Sequence, residues 1–373
     1  MARKNLKLRV DDEGRLEVVD PGYDTLELIH SIDPGFEIKT APLPLFSVPR
    51  FLKVKKMGCG LSSKELETLS EGALWDLHNQ LLDRLPIGTK SKQTNEASFL
   101  DLKIEVAYRV LKSCRLCGRR CGVDRTTGEK GVCGLGMEAT LFEHFVHIAE
   151  ESPVNPSLNL MLAGCGLQCR FCQQDHLLNP SSVMGHSLRG PLWKRLNKKG
   201  ARTISFIGGN PDESIYAILR FLSDAPPRWA LPVVWNCSGY ATMETVSLLD
   251  GLIDAYVTDY KYGTPECGDN LAGAPEYSDT ACVAIEAMLR QEAPVIVRIL
   301  ILPGHVECCH ITILERMKAI DKRENLLISL RDQYCPGGFL KETNNHSMNK
   351  RVTAEEAHQV REHAHNLHFK LVA

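Results

Sequence analysis

The sequence lacks three features, and each absence excludes a class of protein. No apolar run long enough for a signal peptide or a membrane span follows the charged first residues, MARKNLKLRVDDEGRLEVVD. No internal repeat or low-complexity tract is present, which excludes a repeat architecture. No excess of positive charge exists, because the formal net charge is -2, and this argues against a general nucleic-acid-binding surface. We therefore expect a cytoplasmic protein that has neither a membrane nor a nucleic acid as its partner.

Cysteine, by contrast, is abundant. The chain has 373 residues, 43% of them hydrophobic and 24% charged, which suits a barrel-sized domain with an extra module. It contains 14 cysteines, and in the reducing cytoplasm these need an explanation other than disulfides. Seven fall into two clusters, and we interpret scattered ones such as Cys59, Cys237, Cys267 and Cys282 as small buried hydrophobic residues. We assign no role to the adjacent pair Cys308 and Cys309.

Strand-like and helical patterns alternate after Pro156. Amphipathic stretches separate six short apolar runs, which occupy residues 158–163, 203–207, 233–235, 255–258, 295–302 and 326–330. Such alternation is the signature of a parallel sheet, open or closed, and six units fit a partial or complete β/α barrel. We therefore predict the α/β class, with a partial (β/α) barrel of about six parallel strands in residues 151–373.

The segment before this core has a different pattern. Ser62 and Glu65 fit a capping box at the start of a helix, and leucines recur after them at helical spacing. A second helix is predicted over residues 96–112. We predict a partly helical N-terminal extension in residues 1–105 and a cysteine-rich metal module in residues 106–150.

Glycine and polar residues stand at or near the ends of the apolar runs. They are Gly208, Gly209, Asn236, Ser238, Asp259, Lys261 and, within the fifth run, Arg298. The C-terminal strand ends of a parallel barrel share one mouth, where active sites lie, so we predict that these residues converge on one cavity. A simpler role stays open for Asp259 and Lys261, which can form an ion pair that braces the mouth. An unpaired Arg298 in an apolar strand would be costly.

The loop AGCGLQCRFCQQ carries Cys165, Cys169 and Cys172 directly after the first run. Three interpretations are open from the residues alone: unrelated buried thiols, a zinc site completed by His176, and an iron–sulfur cluster. The close spacing makes unrelated thiols a poor explanation. A 4Fe-4S cluster normally takes one thiolate per iron, so three thiolates would leave one iron with an open position, as in catalytic metal sites.

This loop resembles the Cys-x3-Cys-x2-Cys signature of the radical S-adenosylmethionine (SAM) superfamily, including an aromatic residue, Phe171, before the last cysteine. The resemblance implies that the three cysteines hold a 4Fe-4S cluster whose fourth iron binds SAM. It also implies that an electron from the cluster cleaves SAM to methionine and a 5′-deoxyadenosyl radical, which abstracts hydrogen from a substrate. An electron donor such as flavodoxin or ferredoxin is then expected.

The order of motifs is similar to one branch of that superfamily, the relatives of pyruvate formate-lyase activating enzyme with an upstream four-cysteine module. The segments concerned are CRLCGRRC, RTTGEKGVC, EESPVNPS, GGNP, VVWN, DYK, VRILILPG and QYCP. The resemblance implies SAM contacts for Gly208, Gly209, Asn236, Ser238, Asp259, Lys261 and Arg298. Two positions depart from the pattern: Asn210 stands where many members have glutamate, and Gly118 replaces a frequent proline.

The upstream segment CRLCGRRCGVDRTTGEKGVC contains a second group of thiols, Cys114, Cys117, Cys121 and Cys133. Four thiols at this density, with glycines at the bends, predict a closed metal site. Zinc and a second 4Fe-4S cluster both suit four thiolates. We expect Arg115, Arg119 and Arg120 to offset the negative charge of the thiolates.

The leading hypothesis is therefore a radical SAM enzyme. Its substrate is expected to be a glycyl-radical enzyme, another protein or a small molecule, and the first of these rests on analogy with the activating enzymes. One alternative is a non-catalytic protein with structural zinc at both cysteine groups. Another is an iron–sulfur electron-transfer protein, which would need no SAM cavity.

Overall fold

The computed structural model describes residues 8–10, 16–18, 48–85, 92–322, 326–341 and 347–372. A short antiparallel pair, β1 (Leu8–Val10) and β2 (Leu16–Val18), precedes the helices α1 (Arg50–Lys56), α2 (Ser63–Thr68), α3 (Glu71–Arg84) and α4 (Phe99–Leu111). The predicted capping box at α2 is confirmed, because the Ser62 hydroxyl accepts from the Glu65 amide while the Glu65 carboxylate accepts from the Ser62 amide. Ser98 and Asp101 cap α4 in the same reciprocal way, which confirms the second predicted helix.

Nine strands form the main sheet. Besides β3 (Thr140–His147) they are β4 (Ser157–Leu162), β5 (His186–Ser187), β6 (Thr203–Gly208), β7 (Val233–Cys237), β8 (Ala255–Asp259), β9 (Val295–Leu300), β10 (Leu327–Arg331) and β11 (Lys370–Leu371). Their order across the sheet is β11-β10-β9-β8-β7-β6-β4-β3-β5. The pairs from β4 to β11 are parallel, whereas β3 pairs antiparallel with both β4 and β5. All six predicted strands are present, parallel and in sequence order, so the α/β class is confirmed.

Strand pairing leaves the sheet open. Among the described residues, no hydrogen-bonded pair joins the edge strands β5 and β11, so the prediction of a six-stranded partial barrel is not confirmed. The loops after β4 and β10 nevertheless meet. The rings of Phe171 and Tyr334 lie edge to face with centroids 5.7 Å apart, and Gln173 Nε2 donates to Cys335 Sγ at 2.9 Å. These contacts bring the first and sixth parallel strands toward each other at their C-terminal ends.

Helices cover one face of the sheet. They are α5 (Ile215–Ser223), α6 (Met243–Leu249), α7 (Pro265–Ala272), α8 (Tyr277–Arg290), α9 (Thr312–Ile320), α10 (Gly338–Lys341) and α11 (Ala354–Asn366). None of the helices within the described ranges is both long and apolar enough to cross a membrane.

The two faces of the sheet have different side chains because neighbouring residues in a strand point to opposite sides. Trp235, Tyr256 and Val297 belong to the main hydrophobic core beneath the helices. Their neighbours Val234, Val257 and Ile296 form a small separate cluster with Val154 and Ala255. Two residues further along the same strands, this second face becomes polar at Asn236, Asp259 and Arg298. The small cluster therefore forms an apolar base beneath a polar site.

Candidate functional site

A cavity of about 480 Å³ lies at the C-terminal ends of the parallel strands. All the residues predicted at the cysteine loop and the strand ends line it: Cys165, Cys169, Cys172, Gly208, Gly209, Asn236, Ser238, Asp259, Lys261 and Arg298. The prediction that they converge on one cavity is thus confirmed. The groups that they bind stay predictions.

The three-cysteine loop owes its shape to left-handed backbone and to hydrogen bonds from outside the loop. Gly164 has a φ of 93° and Gln168 a φ of 58°, so the chain turns sharply on both sides of Cys165. The Gly166 amide donates to Glu213 Oε1 at 2.8 Å, and Arg119 Nε donates to the Gly166 carbonyl at 2.8 Å. The side chains of Glu213, just before α5, and of Arg119, in the upstream cysteine segment, therefore fix the loop that carries the thiols.

Burial dominates the chemistry of these thiols. It raises the pKa of Cys165 and Cys169 and brings the pKa of Cys172 to about 11. His176, the proposed fourth ligand of a zinc site, is exposed and lies edge to face with Phe142 at a centroid distance of 5.3 Å. It does not belong to the residues lining the cavity, all of which are described. The loop therefore presents three thiols to the cavity without this histidine.

Gly208 and Gly209 are required by the packing of the neighbouring strand. A Cβ on residue 208 would lie 2.3 Å from the Leu162 carbonyl oxygen, and one on residue 209 would lie 2.1 Å from the Gly164 carbonyl oxygen. The amide of Gly209 donates to the Leu162 carbonyl at 2.7 Å. Any larger residue would push the end of β6 away from the cysteine loop, so these glycines are structurally necessary as well as cavity-lining.

Asn210, where glutamate is frequent in the similar branch, is buried and fully engaged. Its Nδ2 donates to Asp212 Oδ2 at 3.1 Å and to Glu213 Oε2 at 2.6 Å, and its Oδ1 accepts from the Ser238 amide at 2.9 Å. Burial raises the pKa of Asp212 to about 6 and that of Glu213 to about 7. The side chain of Asn210 therefore connects the ends of β6 and β7. Its backbone amide donates to the Gly164 carbonyl of the cysteine loop at 2.9 Å, and the carboxylate of Glu213 is the side chain that contacts this loop.

Arg298 is paired with two acidic residues that open the segment EESPVNPS and to which we assigned no role from the sequence. Its guanidinium donates to Glu151 at 2.6 and 2.7 Å and to Glu150 at 3.0 Å. Arg331 at the end of β10 also donates to Glu151, at 3.0 Å. Burial alone would raise the pKa of Glu151, but the two arginines lower it well below its usual range. The charge of Arg298 is thereby compensated within the fold.

Asp259 and Lys261 form an ion pair, which was the simpler of the two roles that we considered for them. Lys261 Nζ lies 2.5 Å from Asp259 Oδ2. Burial alone would lower the pKa of Lys261, but Asp259 and Cys169 raise it, so the ammonium is retained beside the cysteine loop. Tyr260 points to the opposite face, where its hydroxyl donates to the Ser278 carbonyl at 2.7 Å, as the strand alternation predicts.

The upstream cysteine segment contacts the three-cysteine loop at Cys117. Electrostatic interactions link Cys114, Cys117 and Cys133, and burial raises the pKa of Cys117 and brings that of Cys133 to about 11. Cys121 lies beside Gly131, where an added Cβ would come within 2.9 Å of the thiol sulfur. A Cβ on Gly166 would lie 2.9 Å from Cys117 Sγ. The two cysteine groups therefore adjoin each other at Cys117 and Gly166, behind the residues that line the cavity.

The arginines near this segment have other partners than expected. Arg115 pairs with Glu71 and with Glu244, and Arg119 donates to backbone carbonyls of the cysteine loop and of α7. Arg125, which we did not consider, lies beside a thiol, with its Nη1 3.8 Å from Cys114 Sγ. Arg115 and Arg120 both pair with Glu244, so carboxylates compensate their charge, and the expectation that the flanking arginines offset the thiolates stays a prediction.

Gly118, where proline is frequent in the similar branch, sits under the ring of Tyr240. A Cβ would approach that ring to 2.1 Å, and the Gly118 amide donates to the Tyr240 carbonyl at 2.9 Å. Proline has a side chain and no amide hydrogen, so neither contact would survive. In this chain glycine is required because Tyr240 occupies the space.

A further group escaped the sequence analysis. Within the described part of the chain, Cys267, His305, Cys308 and Cys309 form the one set of three or more potential metal ligands whose ligand atoms all lie within 4.8 Å of one another. Cys267, which we interpreted as a small buried hydrophobic residue, is buried in the main core as expected, and its thiol also belongs to this group. The His-x2-Cys-Cys spacing was a usable signal, but its partner Cys267 lies in the first turn of helix α7, after a different strand.

Comparison with known proteins gives two results. Residues 157–258 match the profile of a family described as a 4Fe-4S single cluster domain, and this segment contains the three-cysteine loop. The uncharacterized protein MJ0674 of Methanocaldococcus jannaschii is 30% identical over 320 residues, which cover 83% of this chain and 92% of that protein. The first similarity indicates an iron–sulfur protein, in agreement with the donor set at the cavity.

Proposed function

The chain belongs to the family of the uncharacterized protein MJ0674 of Methanocaldococcus jannaschii, and from its site we propose that it is a radical SAM enzyme. The observation that carries the proposal is the position of three thiols on one loop facing a cavity of about 480 Å³. A structural zinc site is closed by four protein ligands, and an electron-transfer centre has no need of a cavity. Three thiols at a cavity leave room for a small molecule at the metal.

The donor set fits a 4Fe-4S cluster with one iron free of protein ligands. Cys165, Cys169 and Cys172 would hold the cluster. Phe171, which packs edge to face against Tyr262 and Tyr334, would cover one face of it. When bound, a reduced cluster supplies one electron that breaks a carbon–sulfur bond of SAM, giving methionine and a 5′-deoxyadenosyl radical that takes a hydrogen atom from the substrate.

The charged residues of the cavity would bind and orient SAM. In this proposal Lys261 and Arg298 face its carboxylate, and Asp259 faces its positive or hydroxyl groups. Asn236 and Ser238 at the end of β7, and the backbone of Gly208 and Gly209, supply the remaining wall. Because Glu150 and Glu151 already fix the guanidinium of Arg298, that group is oriented before a ligand arrives.

The proposal includes a sheet curved as a partial (β/α) barrel. The contact of Phe171 with Tyr334 supports this curvature, since it joins loops from the first and sixth parallel strands. Cys114, Cys117, Cys121 and Cys133 would hold a second 4Fe-4S cluster or zinc. By analogy with the similar branch, an electron donor such as flavodoxin or ferredoxin and a glycyl-radical enzyme as substrate complete the proposal.

The test is SAM cleavage by anaerobically purified protein with a reconstituted cluster. We expect 5′-deoxyadenosine to form only with a reductant, and deuterium from a labelled substrate in cell extract to enter it. Cys169→Ala should abolish the product, whereas Cys282→Ala, a half-buried cysteine of α8, should not. A full cluster without SAM cleavage would favour electron transfer, and protein that takes up zinc alone would overturn the proposal.

A further inference from the structure

The group formed by Cys267, His305, Cys308 and Cys309 joins two loops of the sheet. Cys267 lies in the first turn of α7, after β8, where its amide donates to Thr264 Oγ1 at 3.3 Å. Cys308 and Cys309 lie in the π-helical turn Val306–Ile311 that follows β9, and His305 directly precedes this turn. The Leu302 amide donates to the ring of the buried His310 at 2.8 Å, which fixes this turn on the sheet.

The spacing of the four side chains is that of ligands around one ion. His305 Nδ1 lies 3.5 Å from Cys267 Sγ, 3.4 Å from Cys308 Sγ and 3.9 Å from Cys309 Sγ. The sulfurs of Cys267 and Cys308 are 3.5 Å apart. A tetrahedral zinc ion with Zn–S of about 2.3 Å and Zn–N of about 2.0–2.1 Å separates its ligand atoms by roughly 3.5–3.8 Å. The distances of His305 Nδ1 to all three sulfurs agree with this range to within about 0.1 Å, so the imidazole fits as the fourth ligand.

The same spacing is unsuited to the other candidates for this group. A 4Fe-4S cluster holds its thiolates on separate irons and so keeps them farther apart than a single ion does. A disulfide between Cys267 and Cys308 would need sulfurs about 2.05 Å apart, and it would leave His305 and Cys309 unexplained. Three thiols and one imidazole are a standard donor set for structural zinc.

We propose that Cys267, His305, Cys308 and Cys309 bind one zinc ion in a closed site that fastens the loop after β8 to the loop after β9. No member of the group belongs to the residues lining the cavity. The two loops are in close contact, because a Cβ on Gly263 would lie 2.7 Å from the Cys309 Cα atom. They continue the strands that carry Asp259 and Arg298, so the ion would hold two walls of the cavity in register without touching a ligand there.

Metal content of the full chain tests this site, independently of SAM cleavage. Zinc, iron and sulfide are measured per chain in wild type, Cys308→Ser, His305→Ala and the control Cys282→Ser, with circular dichroism to verify folding. We expect the first two variants to lose about one zinc per chain. Their iron and the zinc of the control should equal those of the wild type.

A second measurement covers variants that fail to fold. X-ray absorption at the zinc edge of the wild type should contain a nitrogen at about 2.0–2.1 Å beside sulfur at about 2.3 Å. That nitrogen identifies this group, since the upstream segment offers only cysteines. An all-sulfur zinc shell, zinc-free wild type, loss of iron instead of zinc, or a Cys267–Cys308 disulfide in anaerobic protein would each overturn the proposal.

Discussion

The three-cysteine loop and the Cys267 group differ in the property that separates an open metal site from a closed one. The loop places its thiols within one short segment at a cavity, and no group of three or more potential ligands within 4.8 Å of one another forms there among the described residues. The Cys267 group instead draws its ligands from two loops and brings four donor atoms together outside the cavity. Ligand number and surroundings, more than the presence of cysteine, thus distinguish the expected chemistry of the two regions.

The surrounding side chains sharpen the contrast. Near the loop lie the charged groups Asp259, Lys261 and Arg298, each held by a partner within the fold. Such preorganised charges serve a polar ligand that must be oriented. The Cys267 group has no comparable set of charges in its described ligand shell, which is three thiols and an imidazole. One region therefore combines thiols with fixed charges at a cavity, whereas the other brings three thiols and an imidazole together outside it.

The largest expected effect is on metal content, when one cysteine is replaced in each of the two regions. Cys165→Ala should lose the iron and sulfide of the loop, about four iron atoms per chain, because the cluster is left with two thiolates. Zinc should stay unchanged in this variant. Cys308→Ser should give the reverse, with zinc lost and iron kept. Iron, sulfide and zinc assays on both proteins check this, and a parallel loss of both metals in either variant would show that the two sites are not separate.

The next effect concerns stability on the cavity side. Glu151→Gln should lower the free energy of unfolding by about 3–5 kcal/mol, because it leaves Arg298 and Arg331 without their buried counter-charge. Glu150→Gln is the matched control, with a smaller loss, since Glu150 contacts Arg298 but Glu151 remains in place. Denaturant unfolding of both variants measures the difference. Equal losses would contradict a special role for Glu151.

The pH dependence of the same pair has a definite sign. The arginines lower the pKa of Glu151 in the folded state, so its contribution is present above the unfolded pKa of about 4.3 and is lost as the pH falls through the folded pKa. The stability gap between wild type and Glu151→Gln should therefore be constant near neutral pH and narrow below about pH 4.3. Unfolding midpoints measured from pH 7 to pH 3 check this. A gap that widens in acid would contradict the pairing.

The prediction from sequence succeeded where local pattern decides the structure. Six apolar runs gave six parallel strands, and the residues after them reached one cavity because parallel strands share their C-terminal edge. The Asp259–Lys261 pair was also within reach, since residues two apart in a strand share a face.

The failures concern partners that lie far apart in sequence. Glu151 meets Arg298 across 147 positions, and Cys267 meets His305 across 38. No periodicity records such encounters, because they depend on which loops the packed strands bring together. The barrel was expected from the count of strands, whereas pairing within the described residues leaves the sheet open. The antiparallel strand β3, which lies between β4 and the edge strand β5, came from the segment assigned to the metal module.

The smallest effect tests whether the charges at the cavity bind a ligand or only brace the strands. Lys261→Met keeps the length of the side chain and removes its charge, so SAM should bind about 10–100-fold more weakly, as expected for a lost charged hydrogen bond of about 1.5–3 kcal/mol. Lys194→Met, an exposed lysine outside the cavity, is the control. Calorimetric titration of SAM into reconstituted protein gives the affinities, and zinc content should be unchanged throughout. If the affinity for SAM is unaltered while the free energy of unfolding falls, Lys261 only pairs with Asp259 and does not bind the ligand. The cavity would then lack the side chain that we consider its main SAM-binding group.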